Sequence, residues 1–557
     1  MTKQLEYIRS QIIGSDNFIE TPFGKRLMLY LDYTASGRNL LFLEKYLLEL
    51  EKDYANTHTE DDETGWITTR RIQEAEKIIK NALHAGAEYH VIFTGTGTTG
   101  AIKKLMEILG IYIPPGFKKN FPDLNDCIKK CNIKKPVIFV GPYEHHSNLV
   151  SWREGFCDVI PLRLNDKGEL SLEDFINKLT DPRWEGRFKI ASLSAASNVT
   201  GIKTDVYKVA RIAHEHKSLI FFDFAACAPY IPINVNKDKE SYFDGIFLSP
   251  HKFLGGPGAS GVIIFHDKIY DSSLPPTFGG GGTVTYVNED NHDFINTIEE
   301  REKPGTPGII QIFKTALALQ VKDYIGTDCI REREEYNLQY FYEKLGNNPF
   351  IEILGPGDIK NRIAIVSYNI KHRDRYFHPK YISRLLNDLF GIQCRAGCSC
   401  AGPYGHHLLN INLEVSNKYR KVIQKGYGGM KPGWARINLH YTLDKTELNF
   451  IINAIEFITK YGEGLLNLYE FNLLTGDWHH KNFKRQEPSF SLKDALKITN
   501  PMSINKNINK TGLYTTYLEE ALQIAQDLPE PVFVTLKEKL ENLRYFYIAN
   551  MREVEEI

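Results

Sequence analysis

FTGTGTTGAIKKL, residues 93–105, decides what kind of α/β protein this chain encodes. Gly95, Gly97 and Gly100 fit the G-x-G-x-x-G pattern, after an apolar run from Tyr89 to Phe93 and before a segment of helical period. Small residues let the backbone approach an anion, and the first N–H groups of a helix are unpaired and carry positive partial charge. That physics licenses a phosphate and says nothing of a nicotinamide. A dinucleotide fold also needs, about 20 residues on, a second strand ending in Asp or Glu for the ribose. Here that region is IYIPPGFKKNFPDLND (111–126), a loop with prolines. Three readings stand at this point: a dinucleotide, weakly supported, a cradle for some other phosphate, or a glycine turn with no ligand.

The chain has 557 residues, with apolar content for several cores. Lys and Arg number 68 against 69 Asp and Glu, so nothing points to nucleic acid or an anionic membrane. Eight cysteines are too few for a disulfide scaffold, and a reducing compartment fits better. The first residues, MTKQLEYIRSQIIGSDN, lack an apolar targeting core, and no stretch approaches the roughly 18 apolar residues of a membrane span. Leu5, Ile8 and Ile12 instead predict a short amphipathic helix. The expectation is a soluble cytoplasmic protein.

From about residue 70 to 270, apolar runs alternate with segments of helical period: HVIF (90–93), PVIFV (136–140), KIASL (189–193), SLIFF (218–222), GIFL (245–248) and GVIIF (261–265). Runs that are apolar throughout suit strands covered on both faces, and so predict a mainly parallel α/β sheet. Residues 279–308, rich in Gly and Pro, read as loops, and helical period returns over Ile309–Tyr324 and Arg331–Leu345. IEIL, RIAIVSYNI, ARINLHY and TELNFIINAIEFI then outline a smaller α+β unit. The expected organisation is an N-terminal helical segment (1–30), a large α/β domain (31–310), a small α+β domain (311–464) and a helical extension (465–557). In the extension, NPMSINKNINKTG reads as a solvated linker, and YLEEALQIAQDL and VTLKEKLENLRYFYIANM as helices.

In parallel α/β sheets ligands collect beyond the carboxyl ends of strands. HVIF leads to the Gly/Thr loop, PVIFV to GPYEHHSN, KIASL to SAASNVTG, SLIFF to Asp223, and GIFL to Ser249, Pro250, His251 and Lys252. Lys252, directly after a buried strand, has no long helix stem along which to reach water, and desolvation lowers a lysine's pKa toward the neutral amine that condenses with an aldehyde. Taken singly, it also suits a surface position. Asp223 ends an apolar run, where a carboxylate needs a cationic partner; a core ion pair or a protonated pyridine nitrogen would serve. His145 and His146 lie in a loop, and one of them could stack on a flat ring and relay protons near neutral pH. A phosphate loop holding Gly97, Thr98 and Thr99, an amine for an aldehyde, an acid for a ring nitrogen and an imidazole for a ring face together describe pyridoxal 5'-phosphate.

Set side by side, SPHKFLGGPGASGVIIF, FDFAACAPY, GPYEHHSNLVSWRE, SNVTG and KPGTPG resemble class V enzymes of fold-type I, nearest to the cysteine desulfurase and selenocysteine lyase branch. The resemblance spans about residues 30–460, beginning near LYLDYTASGR (29–38). It implies a mainly parallel seven-stranded sheet in a large pyridoxal-phosphate domain, beside a smaller α+β domain. Residue by residue, it implies that Lys252 carries the cofactor as an aldimine and moves the substrate proton. Asp223 would pair with the pyridine nitrogen, His146 stack on the ring, and Asn198 bond the phenolic oxygen. Thr99, Ser249 and His251 would take the phosphate, with Thr306 reaching it from the other subunit of a homodimer. Arg436, in WARINLHY, matches the arginine that clamps the substrate carboxylate, a task suited to a bidentate guanidinium.

GIQCRAGCSCAGPYGHH (391–407) raises the question of sulfur. Cys400 falls where the desulfurase branch keeps its nucleophile, and RAGCSC also resembles molybdenum cofactor sulfurases. A thiolate near Arg395 or a histidine would be reactive. Three readings stand: inert thiols at Cys394, Cys398 and Cys400, a metal site with His406 and His407, or a sulfur-carrying loop. Cys-x-Cys is tighter than the usual zinc knuckle, so no metal is expected. Cys127 and Cys131 read as a structural pair on one helix face. The sequence departs from the branch at Ala226, where glutamine is common, at Cys398, often histidine, in an insertion near 111–135, and in the extension. The expectation is a desulfurase that takes sulfur from a small amino acid onto Cys400 as a persulfide and releases alanine. Another class V chemistry, such as C–S lysis, transamination or epimerisation, and a sulfur-transfer partner in which the extension docks an acceptor protein, are the alternatives.

Overall fold

The apolar runs become strands of one sheet because both of its faces are covered. In the computed structural model, which describes residues 2–57, 59–123, 130, 133–485 and 503–552, these strands are β1 (Tyr89–Gly95), β2 (Val137–Val140), β3 (Asp158–Pro161), β4 (Lys189–Ser194), β5 (Ser218–Asp223), β6 (Gly245–Leu248) and β7 (Gly261–His266). Successive residues alternate between two buried apolar layers. Val137, Phe139, Ile220, Val262 and Ile264 enter one layer, and Ile138, Val140, Phe221, Ile263 and Phe265 the other. Every second residue is therefore apolar twice over, and no amphipathic alternation survives.

The strand order is β1-β7-β6-β5-β4-β2-β3. Pairing from β6 to β3 is parallel, while β7 runs antiparallel to both β1 and β6. The sequence marks six of the seven strands. β3, DVIP, opens on a charge, ends on Pro161, and is only half-buried; it is an edge strand, where proline is tolerated and the apolar signal fades. Helix α1 (Gly97–Ile108) springs from the end of β1, α2 (Ser147–Glu154) follows the loop after β2, and α3 (Val206–Glu215) packs behind β5. Asp205 caps α3, accepting the Lys208 N–H at 3.2 Å.

Helices α4 (Ile309–Ile325) and α5 (Thr327–Leu345) lead to a second, antiparallel sheet of β8 (Ile351–Ile353), β9 (Ile365–His372), β10 (Arg395–Gly397) and β11 (Trp434–Asn438), ordered β8-β9-β11-β10. Helix α6 (Pro379–Phe390) packs on it and stops at Gly391, whose φ of 72° fits the left-handed helix cap. After β10 come α7 (Gly402–Leu408) and α8 (Leu413–Gln424), and α9 (Lys445–Leu465) closes this unit. Asp444 and Glu447 form a reciprocal capping box at the start of α9.

Three expectations need correction. Residues 279–308 are not all loop: Val284–Val287 pairs with His292–Phe294 in a hairpin, and Ile298–Arg301 is helical. Tyr286 and Val287 are each 60% exposed, so no buried alternation announces the hairpin. In the first thirty residues, helix Lys3–Ser10 is followed by a second unannounced hairpin, Phe18–Thr21 with Gly24–Leu27. In the extension, α10 (Lys510–Gln526) forms, but the second expected helix is a single turn, Glu538–Glu541. Tyr545–Asn550 is instead irregular, with an isolated bridge from Phe546 to Tyr376. Its carbonyls accept the N–H groups of Tyr376 (from Tyr545, 3.0 Å), Val534 (from Ile548, 2.8 Å) and Phe471 (from Asn550, 3.0 Å). Phe546 and Ile548 are fully buried, so tertiary packing overrides helix propensity. Cys127 and Cys131 lie outside the described residues. No described helix is long and apolar enough to cross a membrane.

Candidate active site

The loops at the carboxyl ends of β2, β4, β5 and β6 converge with the β1–α1 turn and the β10–α7 loop on a cavity of about 310 Å³. Lys252, Asp223, Asn198, Thr98, Thr99, Ser249, His251, Arg436 and Cys400 all line it. Gly97 sits just behind, and its φ of 59° is left-handed. A Cβ there would fall 2.9 Å from Ser249 Oγ, and one on Gly261 would fall 2.4 Å from the Gly97 backbone. Only glycines allow this turn to lie so close to β7 and Ser249. The Thr98 N–H donates to Ser249 Oγ (3.0 Å), whose hydroxyl donates to Thr98 Oγ1 (3.0 Å), and Thr99 Oγ1 meets Ser147 Oγ at 2.7 Å. Hydroxyls thus ring the N-terminus of the twelve-residue α1, the donor set that a phosphate takes.

Lys252 ends the turn Pro250–Lys252, and burial, opposed by Asp223, holds its ammonium below the ordinary lysine pKa. Asp223 is buried, which raises its pKa, although one carboxylate oxygen accepts the Ala225 N–H at 2.8 Å. Asn198 donates from Nδ2 to the Ser399 carbonyl (2.7 Å), while its buried Oδ1 has no partner among the described residues. An unpaired buried oxygen beside the cavity marks a place for a polar ligand.

Of the two adjacent histidines, His145 lines the cavity, not the expected His146. Burial pushes the His145 imidazole down to about 4. Its Nδ1 accepts the Ser147 N–H (3.1 Å), which leaves the hydrogen on Nε2. His146 turns instead to the cysteine loop: its N–H donates to the Cys400 carbonyl (2.8 Å), and its Nε2 accepts the Gly402 N–H (3.0 Å). Spacing alone gives neighbouring residues no means of telling which points inward.

The latched loop is strained. Ser399 and Cys400 have φ of 48° and 56°, consecutive left-handed residues that are not glycine. Such conformations cost roughly 1–3 kcal/mol each and cluster where a side chain must be aimed. Cys400 faces the cavity, whereas Cys398 packs beside Tyr143 and Trp434, and burial pushes the Cys394 thiol up to about 12. His406 Nδ1 is engaged by Ser416 Oγ at 3.3 Å. Among the described residues no group of three His, Cys, Asp or Glu side chains is arranged to hold a metal ion.

Arg436 is buried, with Nη1 donating to the Asn198 carbonyl (3.0 Å) and Nη2 to Asp32 Oδ1 (3.0 Å). Arg395 reaches the other Asp32 oxygen at 3.7 Å and also lines the cavity. Asp32, Thr34 and Ala35 belong to LYLDYTASGR, a stretch in which no local pattern singles out a site residue. Thr306 lies exposed, outside the lining of this chain's cavity.

Glu144, beside the histidines, is equally unmarked in the sequence. Its buried carboxylate accepts the N–H groups of Gly141 (3.2 Å) and Ser194 (2.7 Å) on Oε1, and Asn148 Nδ2 (2.6 Å) and Ser194 Oγ (2.6 Å) on Oε2. It ties the His145 loop to the end of β4. Burial pushes its pKa up to about 7 despite these bonds.

The class-V aminotransferase family matches residues 126–423. A probable cysteine desulfurase of Halalkalibacterium halodurans is 27% identical over 384 residues, 68% of this chain and 84% of the relative. One of Borreliella burgdorferi is 25% identical over 422 residues, 72% and 90% of the two chains. Among solved structures, the apo cysteine desulfurase of Thermococcus onnurineus superposes with a TM-score of 0.65 at 22% identity, covering 82% of this chain and 98% of that one. An Escherichia coli cysteine desulfurase gives 0.60 at 20% identity, with the same coverage.

Proposed function

This chain belongs to the class-V aminotransferase family, enzymes that work with pyridoxal phosphate, and we propose that it is a cysteine desulfurase whose sulfur acceptor is Cys400. The cavity suits the cofactor. The turn at Gly97, where a Cβ would strike Ser249, and the hydroxyls of Thr98, Thr99 and Ser249 with His251 would hold its phosphate. Lys252 would bond its aldehyde, Asp223 its ring nitrogen, and Asn198 its phenolic oxygen, with His145 against the ring face. When bound, pyridoxal phosphate supplies an electron sink for negative charge developing beside the substrate nitrogen.

The chain's own residues supply the rest. Arg436, fixed by Asp32 and the Asn198 carbonyl, offers a guanidinium to the substrate α-carboxylate. Lys252, held toward the neutral amine by burial, takes the proton from the substrate Cα. The Cys400 thiolate attacks the substrate sulfur: a bond forms between the two sulfurs, the substrate Cβ–S bond breaks, and its electron pair stays with Cβ, which takes up a proton. Lys252 returns its proton to Cα, the amino acid leaves as alanine, and Cys400 keeps a persulfide. In a homodimer, Thr306 would reach the partner's site.

The observation that carries this reading is the shared cavity: Lys252, Asp223 and Cys400 line one space, and the cysteine loop is strained and latched to the histidine loop. A C–S lyase or aminotransferase on the same scaffold would need Lys252 and not Cys400. Incubating holoenzyme with L-cysteine and a thiol reductant, and measuring alanine for the wild type and for Cys400→Ala, separates the two. Alanine from the wild type that disappears in the variant is expected; equal alanine from both would leave the cysteine loop without a role.

A further inference from the structure

Helix α6 turns two faces to different surroundings. Tyr381, Ile382, Leu385, Leu386 and Leu389 are fully buried in the apolar core. Lys380, Ser383, Arg384 and Asn387, at i, i+3, i+4 and i+7, share the other face and line a second cavity of about 310 Å³. The extension closes this space with Asp477 and Trp478, at the start of the strand Trp478–His480, and with Arg485. Cys394 and Ala396 line it as well, whereas Arg395 between them lines the catalytic cavity. The chain that leads into the cysteine loop therefore has one cavity on each side.

Three cations meet there with too little negative charge to balance them. Lys380 donates from Nζ to Asp477 Oδ1 (3.0 Å) and to the Thr475 carbonyl (2.9 Å). The buried carboxylate of Asp388 already accepts the Tyr469 hydroxyl (3.0 Å) and Asn387 Nδ2 (2.6 Å). Arg384 Nη1 stays 3.5 Å from it, beyond the roughly 2.7–2.9 Å of a well-formed charge-assisted bond. Arg485 has no hydrogen bond or ion pair among the described residues, and repulsion from nearby Arg384, more than burial, lowers its pKa. Trp478 is 1% exposed, and its indole N–H has no acceptor among the described residues. A buried donor left unpaired is costly. Two neighbouring guanidiniums and an unpaired indole N–H are the protein's half of an anion site.

We propose that this cavity, between α6 and the extension, binds a small ligand through a phosphate or sulfate group. Guanidiniums pair with such oxyanions through two parallel N–H bonds. A carboxylate offers two oxygens in one plane, whereas the donors here come from two parts of the chain, Lys380 and Arg384 on α6 and Trp478 and Arg485 in the extension. A tetrahedral oxyanion can meet both sets. The space matches the catalytic cavity in volume, which leaves room for an organic group beside the oxyanion. Half of the donors belong to the extension, so the site exists only because the chain continues past α9. The proposal stands apart from the reaction assigned to Cys400.

The test is isothermal titration calorimetry on full-length holoenzyme reduced with borohydride, which fixes the cofactor covalently and keeps added phosphate out of its place. The probes are inorganic phosphate, glycerol phosphate and, as a dianion with carboxylates alone, succinate. At low salt a phosphate probe should bind with a Kd below about 1 mM, at least about tenfold more tightly than succinate. Tighter binding of glycerol phosphate would assign the site to a phosphorylated metabolite, and tighter binding of inorganic phosphate to the free ion; both support the proposal. Arg485 is exposed and unpaired, so Arg485→Glu leaves the fold intact and should weaken binding at least about tenfold, with Arg485→Lys weakening it less. The visible spectrum of the unreduced holoenzyme should be the same in both variants. No heat from either phosphate probe up to about 10 mM, succinate binding as tightly as phosphate, or unchanged phosphate binding in Arg485→Glu would overturn the proposal.

Discussion

Replacing Glu144 by Gln probes how the histidine loop is held, and its effect should depend on pH in a defined direction. The carboxylate is 3% exposed and accepts four hydrogen bonds from Gly141, Asn148 and Ser194. Burial raises its pKa from 4.5 to about 7 in the fold. An acid with a raised folded pKa is favoured in its protonated form, so its contribution is intact below about 4.5 and is lost as pH climbs toward 7. At about 1.4 kcal/mol per pK unit, the wild type gives up roughly 2–3 kcal/mol between pH 5 and pH 8 through this group. The amide of Glu144→Gln cannot titrate. It mimics the protonated acid and costs about 1–3 kcal/mol at low pH, where its NH2 opposes two of the four donors. Urea unfolding at pH 5 and pH 8 reads both values. The stability difference between variant and wild type should move in the variant's favour by about 2–3 kcal/mol on going to pH 8. A difference that stays constant would refute the reasoning and mean that the four donors hold Glu144 ionised throughout.

Other perturbations follow from the same geometry. Lys252→Ala should remove the visible absorbance of bound cofactor that borohydride bleaches; an unchanged spectrum would move the aldehyde elsewhere. His145→Ala should lower kcat by about 10²-fold or more. His146→Ala should act through the cysteine loop, slowing sulfur transfer while sparing the cofactor spectrum, and matching spectral changes in the two variants would erase the distinction. Because His145 is neutral down to about 4, no His145 limb is expected in a kcat/KM profile above that pH. Phe546→Ala, in the buried tail segment, should cost about 3–5 kcal/mol in chemical unfolding; a loss below about 1 kcal/mol would make the tail an appendage.

How far the sequence reveals this architecture depends on how strongly burial marks each residue. The strands of the large sheet are legible because both faces are covered, so Val137–Val140 and Ser218–Phe222 leave unbroken apolar runs. Asp158–Pro161 has solvent at its edge and leaves none. Lys252 and Asp223 are legible because charge directly after such a run demands a partner. His145 and His146 are not separable, since side-chain direction at a helix start is set by loop geometry; Glu144 is hidden beside them as an ordinary polar residue. Asp32 lies 404 positions from Arg436 in the chain, and no local pattern links the two. The tail misleads for a related reason. LKEKLENLRYFYIANM has good helical spacing, but Phe546 and Ile548 gain more by burial beside Phe377 and Phe471 than by helix formation.

The most direct test of the central claim is mass spectrometry of the peptide bearing Cys400, taken from holoenzyme shortly after mixing with L-cysteine and alkylated before digestion. The account predicts that this peptide gains the mass of one sulfur atom, that Cys394 and Cys398 do not, and that Lys252→Ala prevents the gain. Alanine formed without added sulfur on Cys400, or sulfur found on Cys398 in its place, would contradict it.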